Sequence, residues 1–379
     1  MTFQTPITAP ALHLPSSELG RTLPILRRVI ERRSTIPVLH TMRVTAIAGA
    51  DTARLIATDL DIEIRAEIEA GVDRDTDLCI PAPVFAMATG DGAAVLDLAS
   101  DGDTLQITAG DIAARMRLGA QPEDFPMMTA PGLDDVPRVT LSESALHRLL
   151  HLCRHCISTE ETRYYLNGIH LTTHPERGTL RAVATDGCRM AVIDDDTKPP
   201  EGWPGMIVPT RTVNVLCAMT SAKGNAEVTL QATETRLRAT RDGMTVTSKL
   251  IDGTYPDYTR VIPKDAPTSR ATLNRAGITR LDRAYRAVAG NHMGRAAKLD
   301  PEAGQMMMTG PDTQVTAPAS IEGETAIAFN AGYLVAQTRV TPTIRVEWAS
   351  DNAPAMVMAV DELEHPERDA FWILMPMRT

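Results

Sequence analysis

The first third of the chain recurs in its second third at an offset of nearly 130 positions. Leu55-Ile-Ala-Thr-Asp-Leu60 returns as Val183-Ala-Thr-Asp-Gly187, and Asp124-Phe-Pro126 returns as Thr254-Tyr-Pro256. A fainter third copy surrounds Ala328-Phe-Asn-Ala-Gly-Tyr-Leu334. Solenoid repeats run about 20–50 residues per unit, so a period this long indicates whole domains. We therefore predict three domains of similar build, with boundaries at 1–135, 136–264 and 265–379.

Each third opens with a predicted helix that has an apolar stripe and a basic polar face. In the second copy the stripe is Leu146, Leu149, Leu150, Cys153 and Ile157. In the first copy the stripe is Leu23, Leu26 and Ile30, with Arg27, Arg28, Arg32 and Arg33 around it. In the third copy Ile278, Leu281, Tyr285 and Val288 are predicted to face inward and Arg275, Arg280, Arg283 and Arg286 outward. Positive charge therefore concentrates on these three helices.

Strands are predicted to follow each opening helix. From Leu60 to Ile68 every second residue is apolar, whereas Asp61, Glu63 and Glu67 fall on the alternate positions and are predicted to face solvent. A second short helix is predicted after each internal proline, from Arg211 to Met219 with Thr210 as its cap, and near Pro83 in the first copy. The strands come in runs joined by short turns, which is typical of an α+β layer with two helices on one face of a sheet.

Composition limits the classes of function. The chain has 379 residues, 43% of them hydrophobic, and a net charge of −10 with a pI near 5.4, which argues against a whole-surface nucleic-acid binder but permits a local basic surface. No apolar run of about 18 residues exists to span a membrane. The odd count of five cysteines favours reduced thiols, and no secretory signal is evident at the N-terminus. We therefore expect a cytoplasmic protein.

Several motifs, in order along the chain, resemble one family. They are Arg33-Ser-Thr-Ile-Pro-Val-Leu39, Pro122-Glu-Asp-Phe-Pro126, Arg163-Tyr-Tyr-Leu-Asn-Gly168, Val183-Ala-Thr-Asp-Gly-Cys-Arg-Met190, Thr247-Ser-Lys-Leu-Ile-Asp-Gly-Thr-Tyr-Pro-Asp-Tyr258 and Leu374-Met-Pro-Met-Arg378. Together they are similar to the bacterial DNA polymerase III beta subunit, the replicative sliding clamp. The resemblance implies three similar domains of the DNA clamp fold, two subunits closed head to tail into a ring, helices around the hole and sheets outside.

The resemblance also implies a function without catalysis, as a processivity factor that encircles duplex DNA. Basic helices facing a duplex contact phosphates, which carry no sequence information. We expect DNA contacts from residues of the opening helices and from two loop tyrosines: Arg33, Arg148, His151, Arg154, His155, Tyr164 and Tyr165. The expected protein partners are the DNA polymerase III alpha subunit, the clamp loader and other clamp-binding proteins. No cofactor is expected.

A peptide pocket is the second site that the resemblance implies, placed between the second and third domains. The positions that match it are Leu166, Thr185, Gly187, Cys188, Arg189, Met190, Pro256, Arg260, Val261, Met375, Pro376, Met377 and Arg378. Methionine and aliphatic side chains form an adaptable apolar groove, and arginines at its rim hold peptide carbonyls or acids. This chain has Cys188 and Met190 where the family commonly has His and Leu, and an acidic stretch at 361–369.

Motif position further assigns dimer-interface residues, namely Met116, Leu118, Tyr285 and Val288.

Three other hypotheses about the function remain. Asp59, Asp61 and Glu63 are carboxylates that a metal-dependent enzyme would use. His147 and His151, with Cys153 and Cys156, have a spacing that zinc ligands use. The last alternative is a clamp paralogue that serves repair, plasmid or phage replication instead of the main replicase.

Overall fold

The computed structural model describes residues 10–31, 34–88, 95–101, 103–290, 295–360 and 369–378. The chain forms two compact units. The first combines residues 1–144 with 214–250, and the second combines residues 145–213 with 251–379. Each unit contains strands of the second repeat, so the units follow the hydrogen-bonded sheets rather than thirds of the chain. The three-domain boundaries stay a prediction.

The described elements are five α-helices and 26 strands. The helices are α1 Ser16–Leu26, α2 Glu143–Cys153, α3 Thr210–Met219, α4 Arg275–Ala289 and α5 Ala331–Val340. The strands are β1 Leu12–Pro15, β2 Thr41–Ala46, β3 Thr52–Thr58, β4 Ile62–Glu69, β5 Gly71–Val72, β6 Thr76–Pro81, β7 Val95–Asp101, β8 Thr104–Ala109, β9 Ile112–Arg117, β10 Val139–Ser142, β11 Gly168–Thr173, β12 Leu180–Thr185, β13 Arg189–Asp195, β14 Met206–Pro209, β15 Glu227–Ala232, β16 Arg236–Arg241, β17 Met244–Lys249, β18 Ser269–Asn274, β19 Ala296–Asp300, β20 Gln305–Gly310, β21 Thr313–Pro318, β22 Ser320–Glu322, β23 Ile327–Asn330, β24 Thr343–Trp348, β25 Ala355–Ala359 and β26 Ala370–Leu374.

The first unit contains two antiparallel sheets. One has five strands in the order β5-β1-β7-β8-β9, and the other has eight in the order β10-β15-β16-β17-β4-β3-β2-β6. The eight-stranded sheet is continuous across the repeat because β17 pairs with β4, from Met244 opposite Ala66 to Ser248 opposite Ile62. Backbone hydrogen bonds thus join a first-copy strand directly to a second-copy strand.

The second unit has the same plan. Its nine-stranded sheet runs β14-β11-β12-β13-β26-β25-β24-β18-β22, and its four-stranded sheet runs β21-β20-β19-β23. Here β13 pairs with the last strand β26, from Arg189 opposite Leu374 to Ile193 opposite Ala370. This pairing places the C-terminal residues after Leu374 beside the turn that precedes Arg189. The expected α+β architecture, with sheets built from runs of antiparallel strands, is confirmed.

The helices agree with the predicted apolar stripes but not with every boundary. Leu23 and Leu26 are buried as expected, but α1 ends at Leu26, and the turn that follows buries Val29 instead of Ile30. Arg27 and Arg28 therefore lie beyond the helix, and Arg32 and Arg33 lie outside the described residues. The second short helix of the first copy is a 3₁₀ segment, Ala82–Met87. In α4 the four predicted arginines are exposed, but Val288, predicted to face inward, is 64% exposed one residue before the helix ends.

One strand prediction is wrong. Ile62, Ile64, Ala66 and Ile68 are buried as expected, yet Glu63, predicted on the solvated face, is only 1% exposed. Its carboxylate accepts hydrogen bonds from Arg65 Nε at 2.6 Å and from the backbone N–H of Met128 at 2.7 Å. The chain beyond Pro126 crosses this face of the sheet and covers the carboxylate. Alternation within a strand cannot reveal such a distant covering segment.

Candidate functional site

The repeated Thr-Asp sequence forms the same tight turn in both copies. In the second copy Asp186 Oδ1 accepts from the N–H groups of Cys188 at 2.9 Å and Arg189 at 3.0 Å. In the first copy Asp59 Oδ1 accepts from Asp61 and Ile62 in the same way, at 2.9 and 2.6 Å. Each Asx turn directly precedes the equivalent strand of its own repeat, β4 in the first copy and β13 in the second, which is why the motif recurs at a fixed spacing.

The residue after each aspartate has left-handed backbone geometry. Gly187 has φ 90°, where a glycine carries no steric cost, whereas Leu60 has φ 76° and an exposed side chain. A Cβ at Gly187 would lie 2.7 Å from Nη1 of Arg163. Glycine therefore lets the Arg163 side chain lie directly against the turn.

A groove of about 280 Å³ opens beside this turn, within the second unit. Its walls come from the Arg163–Leu166 loop, the turn, the segment around Pro256 and the end of β26. Eight of the predicted pocket residues line it: Leu166, Thr185, Gly187, Arg189, Met190, Pro256, Val261 and Met375. Segments far apart in the chain thus meet in one place, as the resemblance implied.

The floor of the groove is an apolar cluster. Met190, Ile373 and Phe371 are buried together with Val183, Val192 and Met358, and Tyr255 and Tyr258 pack against them. Polar groups stand at the rim. Arg189 Nε donates to Asp186 at 2.8 Å, and the Arg189 guanidinium lies 4.5 Å from the ring centre of Tyr333. An apolar floor with a few oriented polar groups is the usual architecture of a ligand pocket.

The remaining predicted pocket residues lie elsewhere. Cys188 is exposed next to the turn, and the Arg260 side chain is 82% exposed, with its nearest carboxylate, that of Asp257, at 3.7 Å. Pro376, Met377 and Arg378 line a separate cavity of about 760 Å³ with Lys298 and Asp351, and Met375 borders both cavities. The tail leads away from the groove, and there the Met377 N–H donates to the carbonyl of Ala328 at 2.8 Å.

Sequence reasoning missed five groove residues, namely Arg163, Tyr165, Asp257, Tyr258 and Ile373. Tyr165 had been predicted only as a DNA contact. The sequence offers one indication of Arg163, because the glycine in Thr-Asp-Gly187 is the residue type found where another group lies close to the backbone. The places of Tyr165, Asp257, Tyr258 and Ile373 in the groove depend on how distant strands and loops meet, which the sequence pattern does not show.

The candidate DNA residues differ in their surroundings. Arg154 is exposed, and Tyr164 is 54% exposed with its ring edge toward Tyr165. Arg148 instead donates from Nη1 to the carbonyl of Asp194 at 2.7 Å. Arg33 lies outside the described residues. Arg154 and Tyr164 are thus exposed, and the DNA contacts stay a prediction.

His151 and His155 carry little positive charge near neutral pH. His147 and His151 stack with their ring centres 5.1 Å apart, and burial, followed by the charges of Arg154 and His147, lowers the pKa of His151. His155 Nε2 lies 2.8 Å from Gln337 Oε1, and burial lowers the pKa of His155 to about 4. His155 therefore packs inside the second unit as a neutral ring, although its helix position predicted a DNA contact.

The predicted interface residues separate into exposed and buried ones. Met116 lies on β9, which is an edge strand among the described strands of its sheet, and Leu118 follows it and is largely buried. Tyr285 is 1% exposed and donates to the carbonyl of Thr309, whereas Val288 is exposed on the same helix. The interface assignment stays a prediction.

The described residues show neither a metal-binding cluster nor a membrane-spanning helix. In the described ranges no three His, Cys, Asp or Glu side chains are arranged to hold a metal ion. The thiol of Cys153, considered as a zinc ligand, donates a hydrogen bond to the carbonyl of Ala182. No described helix is long and apolar enough to cross a membrane.

Comparison with known proteins identifies the class. Residues 140–257 match the family model for the central domain of the DNA polymerase III beta subunit. A beta sliding clamp of Caulobacter vibrioides is 34% identical over 385 residues, covering 97% of this chain and 99% of the relative. A sliding clamp structure from Bartonella birtlesii, bound to griselimycin, has a TM-score of 0.85 and 29% identity over 98% of this chain and all of that one. A Caulobacter crescentus beta sliding clamp, with polyethylene glycol bound at a proposed beta-motif tethering region, has a TM-score of 0.81 and 31% identity, at 98% and 100% coverage.

The fold and the groove thus define a DNA polymerase sliding clamp. The chain belongs to the bacterial beta sliding clamp family, whose members are non-catalytic processivity factors of DNA polymerase III. The predictions of a sliding clamp and of a protein that is not an enzyme are therefore confirmed. The carboxylates considered for catalysis have structural roles: Asp59 forms the turn and Glu63 anchors a covering segment.

Proposed function

We propose that two copies of this chain close head to tail into a ring that encircles duplex DNA in the bacterial cytoplasm. In this proposal the groove beside Gly187 tethers the DNA polymerase III alpha subunit, the clamp loader and other proteins that carry a clamp-binding peptide. The groove is the observation that carries the proposal, because an apolar floor with an arginine rim suits a short peptide with apolar anchors. The Caulobacter crescentus relative, with its ligand at a proposed tethering region, supports the same use here.

A closing interface requires free surfaces on two different parts of the subunit. Among the described strands β9 is an edge of the five-stranded sheet and β21 an edge of the four-stranded sheet. Exposed edges offer unpaired backbone groups that proteins normally cover. We propose that β9 of one subunit meets β21 and the adjoining α4 of the other, since a heterologous contact that closes gives a ring. Val288 on α4 would then be covered by the partner.

Substituting Met116→Glu is expected to convert the dimer into a monomer, and Leu118 is left intact because it is buried within its own subunit. The added carboxylate would have to be buried in the contact without a partner, which costs several kcal/mol. Light scattering at micromolar concentration measures the result. Ile47→Glu is the matched control, because Ile47 is 74% exposed on the same unit and away from β9, and it should leave the dimer intact. A wild-type protein that is a stable monomer would rule out the ring.

DNA association is expected to be topological and salt-sensitive. After loading, the protein should stay on closed circular DNA and leave linear duplex from its ends, since phosphate contacts hold DNA without reading sequence. Arg154→Ala should shorten retention on circles, whereas Arg270→Ala, an exposed arginine paired with Glu322 on the sheet, should not. Retention is measured by gel filtration of loaded circles before and after linearisation. Tight, sequence-selective binding to a short linear duplex would contradict the proposal.

A further inference from the structure

A third cavity, of about 640 Å³, lies in the first unit and is polar, whereas the groove is apolar. One wall is the eight-stranded sheet, and the other is the segment 128–138 that crosses it. We call it the arginine cleft. Its lining residues are Arg54, Arg65, Glu67, Met128, Ala130, Asp134, Arg138, Thr229, Gln231, Arg238, Thr240, Gly243, Thr245 and Thr247. The proposed function uses the groove of the other unit and leaves this cleft without a role.

Strand register explains why this face of the sheet is polar. Residues directly opposite each other on antiparallel strands share a face. One row across four strands is Thr229, Thr240, Thr245 and Arg65. The next row on the same face is Gln231, Arg238, Thr247 and Glu63. The row between them points the other way and is entirely apolar and buried, namely Leu230, Ala239, Val246 and Ile64. Hydroxyl and guanidinium groups are therefore arrayed side by side.

The covering segment is anchored at three points, which keeps the cleft open without a ligand. Met128 N–H donates to Glu63 at 2.7 Å, and Gln231 Nε2 donates to the carbonyl of Leu133 at 2.7 Å. The third anchor is the ion pair between Arg238 and Asp134. A cavity whose walls are already fixed requires less ordering when a ligand enters.

The cleft is locally positive in an acidic protein. Four arginines line it against two carboxylates, Glu67 and Asp134, and a third carboxylate, that of buried Glu63, pairs with Arg65. One positive charge therefore remains in excess at the cleft, whereas the whole chain carries a net charge of −10. Arg138 is exposed, and no ion pair is found for it among the described residues. The Arg54–Glu67 pair is long, at 3.5 Å, and the Asp134 side chain is 82% exposed. Exposed pairs of this kind contribute at most about 1 kcal/mol, so a stronger anion can replace their carboxylates.

We propose that the arginine cleft binds a small ligand that carries several phosphate groups. Guanidinium groups hold phosphate through paired hydrogen bonds, and the threonine hydroxyls supply further donors. An incoming carboxylate would only replace the resident Glu67 and Asp134 with an equal group, whereas a phosphate brings more charge and more acceptor oxygens. The volume lies in the range of small-molecule sites, about 300–1,000 Å³. The proposal concerns the first unit and is independent of peptide binding at the groove.

Calorimetry on the full-length protein with tripolyphosphate at low salt tests the proposal. We expect saturable binding that weakens as salt is added. Arg54→Gln combined with Arg138→Gln should lower the affinity about tenfold or more, and Arg238 is left intact because it anchors the covering segment. The matched control is Arg21→Gln combined with Arg43→Gln, two arginines of the same unit that pair with Glu18 and Asp77 outside the cleft. The control removes the same charge and should change the affinity less than about twofold. Arg65 is left intact because it pairs with buried Glu63.

Further titrations identify the ligand class. Equal affinity for ATP and tripolyphosphate means that the phosphate chain alone is recognised, and tighter binding of ATP means that a nucleotide is the ligand. Both outcomes support the cleft. Absence of tripolyphosphate binding, an equal loss in the two double variants, or tighter binding of a polyglutamate peptide would each overturn the proposal. Thermal melting of both double variants confirms that they are folded.

Discussion

Deletion of Met375 to Thr379 is expected to abolish binding of a clamp-binding peptide with a glutamine and spaced leucine and phenylalanine anchors. Met375 lines the groove and is 38% exposed, so the deletion removes an apolar contact at the groove's edge. The intact protein should bind such a peptide with micromolar affinity, about −8 kcal/mol at 1 μM, because a few anchors must offset the ordering of a flexible chain. Calorimetry with the intact and truncated proteins measures the difference.

The truncated protein should remain folded. Strand β26 keeps its pairing with β13 and β25, and the described part of the deleted tail forms two backbone hydrogen bonds outside the strands, to Cys188 and Ala328. A shorter deletion that begins at Pro376 separates the two cavities. It leaves Met375 in place and should retain most of the affinity if the groove alone holds the peptide. Unchanged affinity after the longer deletion would show that the peptide binds elsewhere.

The adjacent tyrosines offer a matched pair for the same assay. Tyr165 lines the groove, whereas Tyr164, 54% exposed, is not among the residues that line it. Tyr165→Ala should lower peptide affinity by about 2 kcal/mol, since buried aromatic anchors often contribute that much. Tyr164→Ala should leave peptide affinity unchanged. Equal losses in the two variants would mean that the loop acts as a whole and that neither ring is an anchor.

Asp194→Ala is expected to lower the free energy of unfolding by about 3–5 kcal/mol, the usual result of leaving a buried charge without its partner. The Asp194 side chain is 3% exposed. It accepts from Arg181 Nε at 2.6 Å and Nη2 at 2.8 Å and from Arg177 Nη2 at 2.6 Å. Arg181 is also buried and would keep its positive charge, because a guanidinium is not deprotonated in proteins.

Chemical denaturation of the variant measures this loss. Glu322→Ala is the control in the same unit, because Glu322 and its partner Arg270 are both more than half exposed, and exposed pairs contribute about 0–1 kcal/mol. Asp194→Ala and Arg181→Met together should recover part of the stability, since the uncompensated charge is gone. Equal effects of Asp194→Ala and Glu322→Ala would refute a buried network.

The groove shows where prediction from sequence succeeds and where it stops. The Thr-Asp-Gly turn, the Pro256 segment and Met375 belong to motifs that the resemblance identified, and these segments do meet. Pro376 to Arg378 line another cavity, where the Met377 N–H donates to the carbonyl of Ala328, and their part in a peptide site stays a prediction. His155 follows its basic neighbours in the sequence pattern, but its ring contacts Gln337, more than 180 positions away, which the pattern does not reveal.

By itself, the sequence determined the repeat, the apolar stripes of the helices, the alternating strands and the family. These properties depend on residues close together in the chain, or on motifs whose order is preserved along it. Only the tertiary structure decided that Glu63 is covered, that Tyr165 faces the groove and that four arginines share a cleft. Each of these depends on strand register and on segments that approach from far along the chain, and the periodicity of a single element carries no information about either.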